Sequence, residues 1–486
     1  MDDRFYPTSL AKLLKIILDH YNNSGSIFGI SKDLFFVPYK DDAFKIHRYG
    51  KVLETPIGVA AGPQTQLAQN IVVSWLTGAR YIELKTIQTL DELEVSKPCI
   101  DISDEGYNCE WSQELKLEQS YNQYLDAWII IHILRDKFGW NNHEDPGVIF
   151  NMSVGYDYDG IQNLNIQWFL DKMSDSASEL QSKLDSIKSL YPEVHKLSIS
   201  PIISDNVTLS TMHGCPSHEI EKIGEYLITK KKLNTTIKLN PTLLGKEKLH
   251  QILDKSGFET VVPDIAFEHD LDYDDALSII NNLQEKSDSL NLHFGVKLTN
   301  TLESINNKEV FSNDEKMMYM SGRALHPISI NLAKQLQLDL GGKLDISFSG
   351  GADAYNVCDI FSCGLTPITV CTDLLKPGGY GRLKQYIVEL RKHGISEKSK
   401  DVSFEYLNNY VATVNKNEAY SRNHLHDPSI KTNRNLGMFD CIQAPCVDTC
   451  PTNQGIPDYL YYTSKGEFEK AAEVISKTNP FPLTTG

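Results

Sequence analysis

The chain has 486 residues, of which 41% are hydrophobic and 23% charged, enough for one large barrel or sheet domain and a smaller appendage. Its net charge of −17 excludes a nucleic-acid binder, which needs clustered Lys and Arg; basic runs such as Lys230-Lys231-Lys232 read as solvated helix ends. Nine cysteines, an odd number in a chain this long, make no disulfide framework and point to a reducing cytoplasm.

Residues 1–50 begin with the polar Met1-Asp2-Asp3-Arg4 and continue amphipathically, which predicts a helical extension without a secretion signal. From residue 51 short apolar runs alternate with helical patterns. Strands are expected at Pro56–Ala61, Tyr81–Lys85, Val148–Ser153, Val207–Ser210, Thr236–Leu239, His293–Leu298, Leu344–Ser349 and Ile368–Thr372. Helical spacing fills the intervals, as in Glu219–Lys230, Asp275–Gln284 and Ile328–Gln337. The fold class is α/β, and eight repeats predict a (β/α)8 TIM barrel over residues 51–395.

The longest apolar run, Trp128 to Leu134, is interrupted by His132 and is too short to span a bilayer. Two connections are long: Lys85 to Val148, rich in aromatics such as Tyr107, Trp111 and Tyr121, and Leu298 to Leu344. Insertions after barrel strands fall on the catalytic face, so these form either a lid or an extra helical layer. Residues 396–435 are a polar connector with a helix near Val402–Val414. Residues 436–486 hold helices near Ile456–Leu460 and Glu467–Ser476 behind a cysteine cluster, a partial α-helical iron–sulfur domain.

Barrels act through residues at the C-terminal ends of their strands. The first strand ends in Ala61-Gly62-Pro63, small residues that let the backbone approach a flat ligand. Lys85 and Thr86 end the second, Asn151 lies on the third, Lys238 and Asn240 end the fifth, and Lys297, Thr299 and Asn300 end the sixth. Such a mouth can hydrogen-bond an electron-rich heterocycle; each residue alone is equally a polar loop cap. Gly350-Gly351 after strand seven and Thr372-Asp373 after strand eight stand where barrels cradle phosphate on backbone N–H groups. Cys215, in the loop after strand four, is a candidate general acid or base. The spacing Cys441-x4-Cys446-x3-Cys450-Pro451 follows an iron–sulfur habit rather than the paired C-x2-C of zinc sites.

Ala61-Gly62, Lys85-Thr86, Asn151, the Cys215 loop, Lys238, Asn300, Gly350-Gly351 and Thr372 together resemble the FMN-binding barrel of dihydroorotate and dihydropyrimidine dehydrogenases. The cysteine cluster, with Asn479-Pro480-Phe481-Pro482 downstream, resembles the iron–sulfur domain of dihydropyrimidine dehydrogenase and the glutamate synthase small subunit. Barrel first and cluster second is most similar to large bacterial flavoproteins named as a selenate reductase subunit, although no residue argues for selenate itself.

The resemblance implies an electron chain. NADPH reduces FAD in a domain further along or in a partner subunit, [4Fe–4S] clusters relay electrons, and FMN in the barrel reduces a small conjugated or heterocyclic substrate. FMN N5 delivers hydride and Cys215 the proton. Lys85 and Lys238 contact the isoalloxazine, with Lys238 favouring negative charge at its N1–C2=O edge. Asn151 and Asn300 hold flavin or substrate, and Gly350, Gly351 and Thr372 surround the phosphate, with Asp373 turned away. Cys441, Cys446 and Cys450 are cluster ligands. Two features depart from the pattern: Met438 stands where the commoner form has another cysteine, and none follows Cys450, so the ligand set is incomplete and the chain reads as a fragment, a split subunit or a short native protein. Other readings are oxidation of a dihydro substrate, a non-catalytic scaffold subunit of a redox complex, and a flavin-free barrel using Lys238 as a Schiff base. The last leaves the cysteines unexplained.

Overall fold

In the computed structural model of the chain, residues 5–90, 98–102, 105–109, 113–140, 146–155, 157–211, 215–307, 310–312, 314–396, 404–422, 445–448 and 450–482 are described. Eight parallel strands close into a barrel in chain order: β1 Ile57–Val59, β2 Tyr81–Glu83, β3 Ile149–Val154, β4 Asn206–Ser210, β5 Asn234–Leu239, β6 Phe294–Leu298, β7 Ile346–Phe348 and β8 Ile368–Val370. Each expected run carries a strand. β1 is shorter than its apolar run because Ala61 turns its N–H onto the Glu83 carboxylate, 3.3 Å away, rather than onto a neighbouring strand. Covered by helices outside and side chains inside, the strands are buried on both faces, so their sequences read as nearly continuous apolar runs.

The outer layer follows helical periodicity. In the helix Ser217–Thr229, Ile220, Ile223 and Leu227 form one buried stripe. Gly224 lets this helix approach Tyr273–Ser289, since a Cβ there would meet Leu283 Cδ1 at 2.6 Å.

The barrel interior is unusually polar. Register partners in parallel strands point to the same side. Ser210, Lys238, Lys297 and Ser347 therefore form one row across β4 to β7, while Glu83 of β2 is level with Asn151 of β3. The bottom is plugged by a hairpin, Ile46–Arg48 paired with Lys51–Leu53. Its Arg48 donates to Asp345 at 2.8 Å, just below β7, and lies over the rings of Tyr49 and Tyr81. Arg48 and Asp345 hold each other charged: the carboxyl is pulled down to about 2 despite its burial.

The two long insertions meet. Ile100–Ile102 and Gly106–Asn108 from the first, and Leu302–Ile305 and Met317–Ser321 from the second, form one four-stranded antiparallel sheet. Its Ser321 hydroxyl lies 2.8 Å from that of Thr372, which follows β8, so the sheet stands on the C-terminal face. The first insertion also supplies the long helix Leu117–Lys137, buried through most of its length in the outer layer. The insertions thus supply both a cap and a layer helix.

After the barrel, the helix Phe404–Val414 buries Leu407, Tyr410, Val411 and Val414. The helices Ile456–Ser464 and Phe468–Thr478 pair with each other, and Gln454 donates to the Ile475 carbonyl between them at 3.1 Å. No described helix is long and apolar enough to cross a membrane.

Candidate active site at the barrel mouth

The centre of the mouth is a charge cluster reaching across the barrel. Lys297 of β6 forms a buried ion pair with Glu83 on the opposite strand β2. Glu83 also accepts from the Ala61 N–H at 3.3 Å and the Thr369 hydroxyl at 3.2 Å. Its two oxygens are therefore held by three donors, the satisfaction a buried carboxylate requires. Lys85 is buried nearby and Lys238 is half-buried, its Nζ without a hydrogen-bond acceptor among the described residues. Burial and the Lys297 and Lys85 ammoniums push Lys238 down to about 7, against the pull of Glu83. Lys238 thus brings to the mouth an amine that no acceptor among the described residues matches.

Asn151 lies level with Glu83 on the neighbouring strand. It is fully buried in the barrel, where its amide donates to Asn206 at 2.7 Å and its carbonyl accepts from Thr208 at 2.7 Å. Both halves of its amide are thus engaged in the barrel wall, with Nδ2 and Oδ1 each keeping capacity for a second hydrogen bond. Thr86 is buried with its hydroxyl 2.8 Å from that of Ser153. Asn300 donates to the Thr211 carbonyl at 3.2 Å and to Asn240 Oδ1 at 3.1 Å, tying the ends of β4, β5 and β6 together. At Gly62, a Cβ would meet Cys371 Sγ at 2.7 Å and Gln64 Oε1 at 3.1 Å, so its smallness serves the packing of the β1 and β8 ends.

The loops after β7 and β8 converge. Gly351 has φ +67°, and a Cβ there would meet the Gly322 carbonyl at 2.3 Å; one on Gly350 would meet Ser329 Cβ at 2.4 Å. The Gly-Gly pair is thus demanded by the close passage of residues 322–329. Among the described residues, the N–H groups of Gly351, Ala352 and Thr372 find no acceptor within the chain. Asp373 turns away onto Arg382 at 2.6 Å and Tyr386 at 2.8 Å, leaving the loop free of its negative charge.

Cys215 is part-exposed where the β4 loop resumes. Burial, with Glu219 and Asp157 nearby, pushes its thiol up to about 11. It is a proton holder at neutral pH, which favours the acid over the base reading. Its neighbour His213 lies outside the described residues, as do Cys441 and Met438. Cys446 and Cys450 are described and half-buried, with Cys450 Sγ 3.3 Å from the Thr452 hydroxyl. Among the described residues no three His, Cys, Asp or Glu side chains gather for a metal.

Residues 28–422 match the family described as oxidoreductase YgfK, N-terminal TIM-barrel domain. The chain belongs to the YgfK oxidoreductase family. Residues 397–486 match dihydropyrimidine dehydrogenase domain II, 4Fe-4S cluster, so the iron–sulfur character of the C-terminal segment is a family property. The chain is 42% identical over its full length to the YgfK proteins of Escherichia coli K12 and O157:H7, and it spans 48% of each, about half the length of these curated relatives. Among solved structures, a ligand-free DHODH from Eimeria tenella covers 76% of the chain at 14% identity with a TM-score of 0.46, over 94% of its own length. The same enzyme in complex with ferulenol gives 76%, 13% and 0.47, over 91% of its length.

Glu83 is the site residue that reasoning from strand ends passed over, and its pairing with Lys297, which that reasoning did place at the mouth, was not foreseen. The available signal was a lone acid, Glu83, within a strand otherwise lined by buried residues. A buried acid needs a buried cation, and Lys297 was the strand lysine left without a role.

Proposed function

We propose that the barrel binds FMN and that the chain is the substrate-reducing half of an iron–sulfur flavoprotein, working in the cytoplasm on a small conjugated or heterocyclic compound. The observation that carries this is the joint presence at the mouth of Lys238 and of converging loop N–H groups, both without acceptors among the described residues. That donor set fits a ligand with a phosphate at one end and an acceptor-rich, electron-accepting ring at the other. Bound there, FMN supplies the two-electron hydride chemistry.

The chain's own residues do the rest. Lys238, with no acceptor among the described residues, and Lys85 favour negative charge in the ring. Glu83 keeps Lys297 charged and in place, and the Gly351, Ala352 and Thr372 N–H groups take the phosphate. Cys215 holds a proton at Sγ and donates it to the substrate carbon beside the one that receives hydride. The four-stranded cap on the C-terminal face limits water at the mouth. Bound [4Fe–4S] clusters, with FAD and NADPH, would supply the electrons. Cys441, Cys446 and Cys450 furnish cluster ligands, and further ligands and the FAD site come from the remaining length of such proteins or from a partner subunit.

The test is FMN retained per chain after anaerobic reconstitution and desalting. Near-stoichiometric FMN in the wild type, lost in Lys85→Ala and Gly351→Asp, supports the proposal. A wild-type chain that takes up no FMN overturns it and favours a scaffold role.

A further inference from the structure

The orientation of the Gly350-Gly351 loop is set from behind, by the segment that leads toward the cysteine cluster. The Gly350 carbonyl accepts from His326 Nδ1 at 2.7 Å, and the Gly351 carbonyl accepts from Asn356 Nδ2 at 3.1 Å. A carbonyl has no proton to give, so Nδ1 carries the hydrogen and Nε2 is the acceptor. Nε2 meets the Tyr410 hydroxyl at 2.8 Å, and that hydroxyl must donate. Burial keeps both groups in these forms: His326 is pushed down to about 4 and Tyr410 is pushed up. The imidazole is stacked on Tyr420, 4.8 Å between ring centres and 18° from parallel, and Tyr420 also receives a hydrogen bond from Asn356 at 3.3 Å. Arg323 donates to the carbonyls of Ala419 and Ser421, each at 2.8 Å, and fixes that stretch.

In a trans peptide the C=O and the following N–H point in opposite directions. Pulling the Gly350 and Gly351 carbonyls back into the layer of Tyr410 and Tyr420 therefore turns the N–H groups of Gly351 and Ala352 away from it together. Successive N–H groups on one side make an anion nest.

We infer that His326 is a positioning residue that, braced by Tyr410 and aided by Asn356, aims the Gly351 and Ala352 N–H groups at the phosphate of the bound cofactor. This rests on the FMN reading of the barrel. The segment 404–422, beyond the barrel strands, is thereby part of the phosphate site, so loading the barrel and ordering the approach to the cluster domain are linked.

The experiment compares the dissociation constants of FMN and riboflavin, which lacks the phosphate, for the full chain and for His326→Leu, His326→Gln and Tyr410→Phe. The FMN preference should fall by about tenfold or more in His326→Leu, the scale of one lost hydrogen bond serving a charged group, with riboflavin binding unchanged. His326→Gln, which keeps a donor for the Gly350 carbonyl, should recover part of it. Tyr410→Phe should lose several-fold through the freed tautomer, and it decides the matter if His326→Leu does not fold. An FMN preference equal to wild type in the variants overturns the inference and leaves the flavin reading standing. A wild-type chain that binds neither ligand overturns both.

Discussion

Glu83→Gln offers the sharpest view of how the mouth is built. Glu83 and Lys297 are both almost fully buried, so the substitution leaves an ammonium in the barrel facing a neutral amide, with Lys85 and Lys238 still beside it. Breaking a buried pair by removing one partner costs about 3–5 kcal/mol. The Ala61 and Thr369 hydrogen bonds to the carboxylate weaken as well. A loss near 4 kcal/mol follows, on the order of the lower half of a typical domain's stability. Urea denaturation followed by tryptophan fluorescence on the full chain measures it. The double variant Glu83→Gln/Lys297→Met should recover most of the loss, because an apolar isostere removes the uncompensated charge. A single-variant loss below about 1 kcal/mol, the value of an exposed pair, would refute the claim that this ion pair holds the mouth.

Further outcomes follow from the same geometry. Lys238 has an ordinary pKa near 10.4 when unfolded and about 7 in the fold; between those values the unfolded chain holds the extra proton, so stability rises with pH across that window. Lys238→Met should flatten this rise in denaturation curves taken across it. FMN binding that draws on the Lys238 charge should weaken as pH rises through about 7, by up to about tenfold per unit, measured by calorimetry. Cys215, held near 11, should resist alkylation by iodoacetamide near neutral pH, as followed by peptide mass spectrometry, and Cys215→Ala should lower turnover by roughly 10²–10⁴-fold, the usual worth of a general acid.

The barrel was legible because a strand buried on both faces leaves a strong trace: Ile149–Val154 and Asn206–Ser210 are buried at every residue. That the long insertions could cap the catalytic face was legible, but the strands that build the cap were not. Ile100–Ile102 is three half-buried residues, too short for any period, and its sheet joins segments some two hundred positions apart in the chain. Lys85, Lys238, Gly350, Gly351 and Thr372 converge on the C-terminal face as strand-end reasoning expects. The pairing of Asn151 was hidden because this interior is polar. Its partners Asn206 and Thr208 lie on the next strand, and nothing in a single run says that two polar side chains satisfy each other. The anchoring of Gly350 by His326 was equally hidden, since it depends on which side of a loop carbonyl a distant helix passes.

The central claim is that this barrel is a flavin site. The visible absorption spectrum of the full chain purified without oxygen, with the released cofactor identified by mass, tests it most directly. The account predicts a flavin spectrum and a released mass matching FMN at near one per chain. A colourless chain that also stays colourless after incubation with FMN would contradict it.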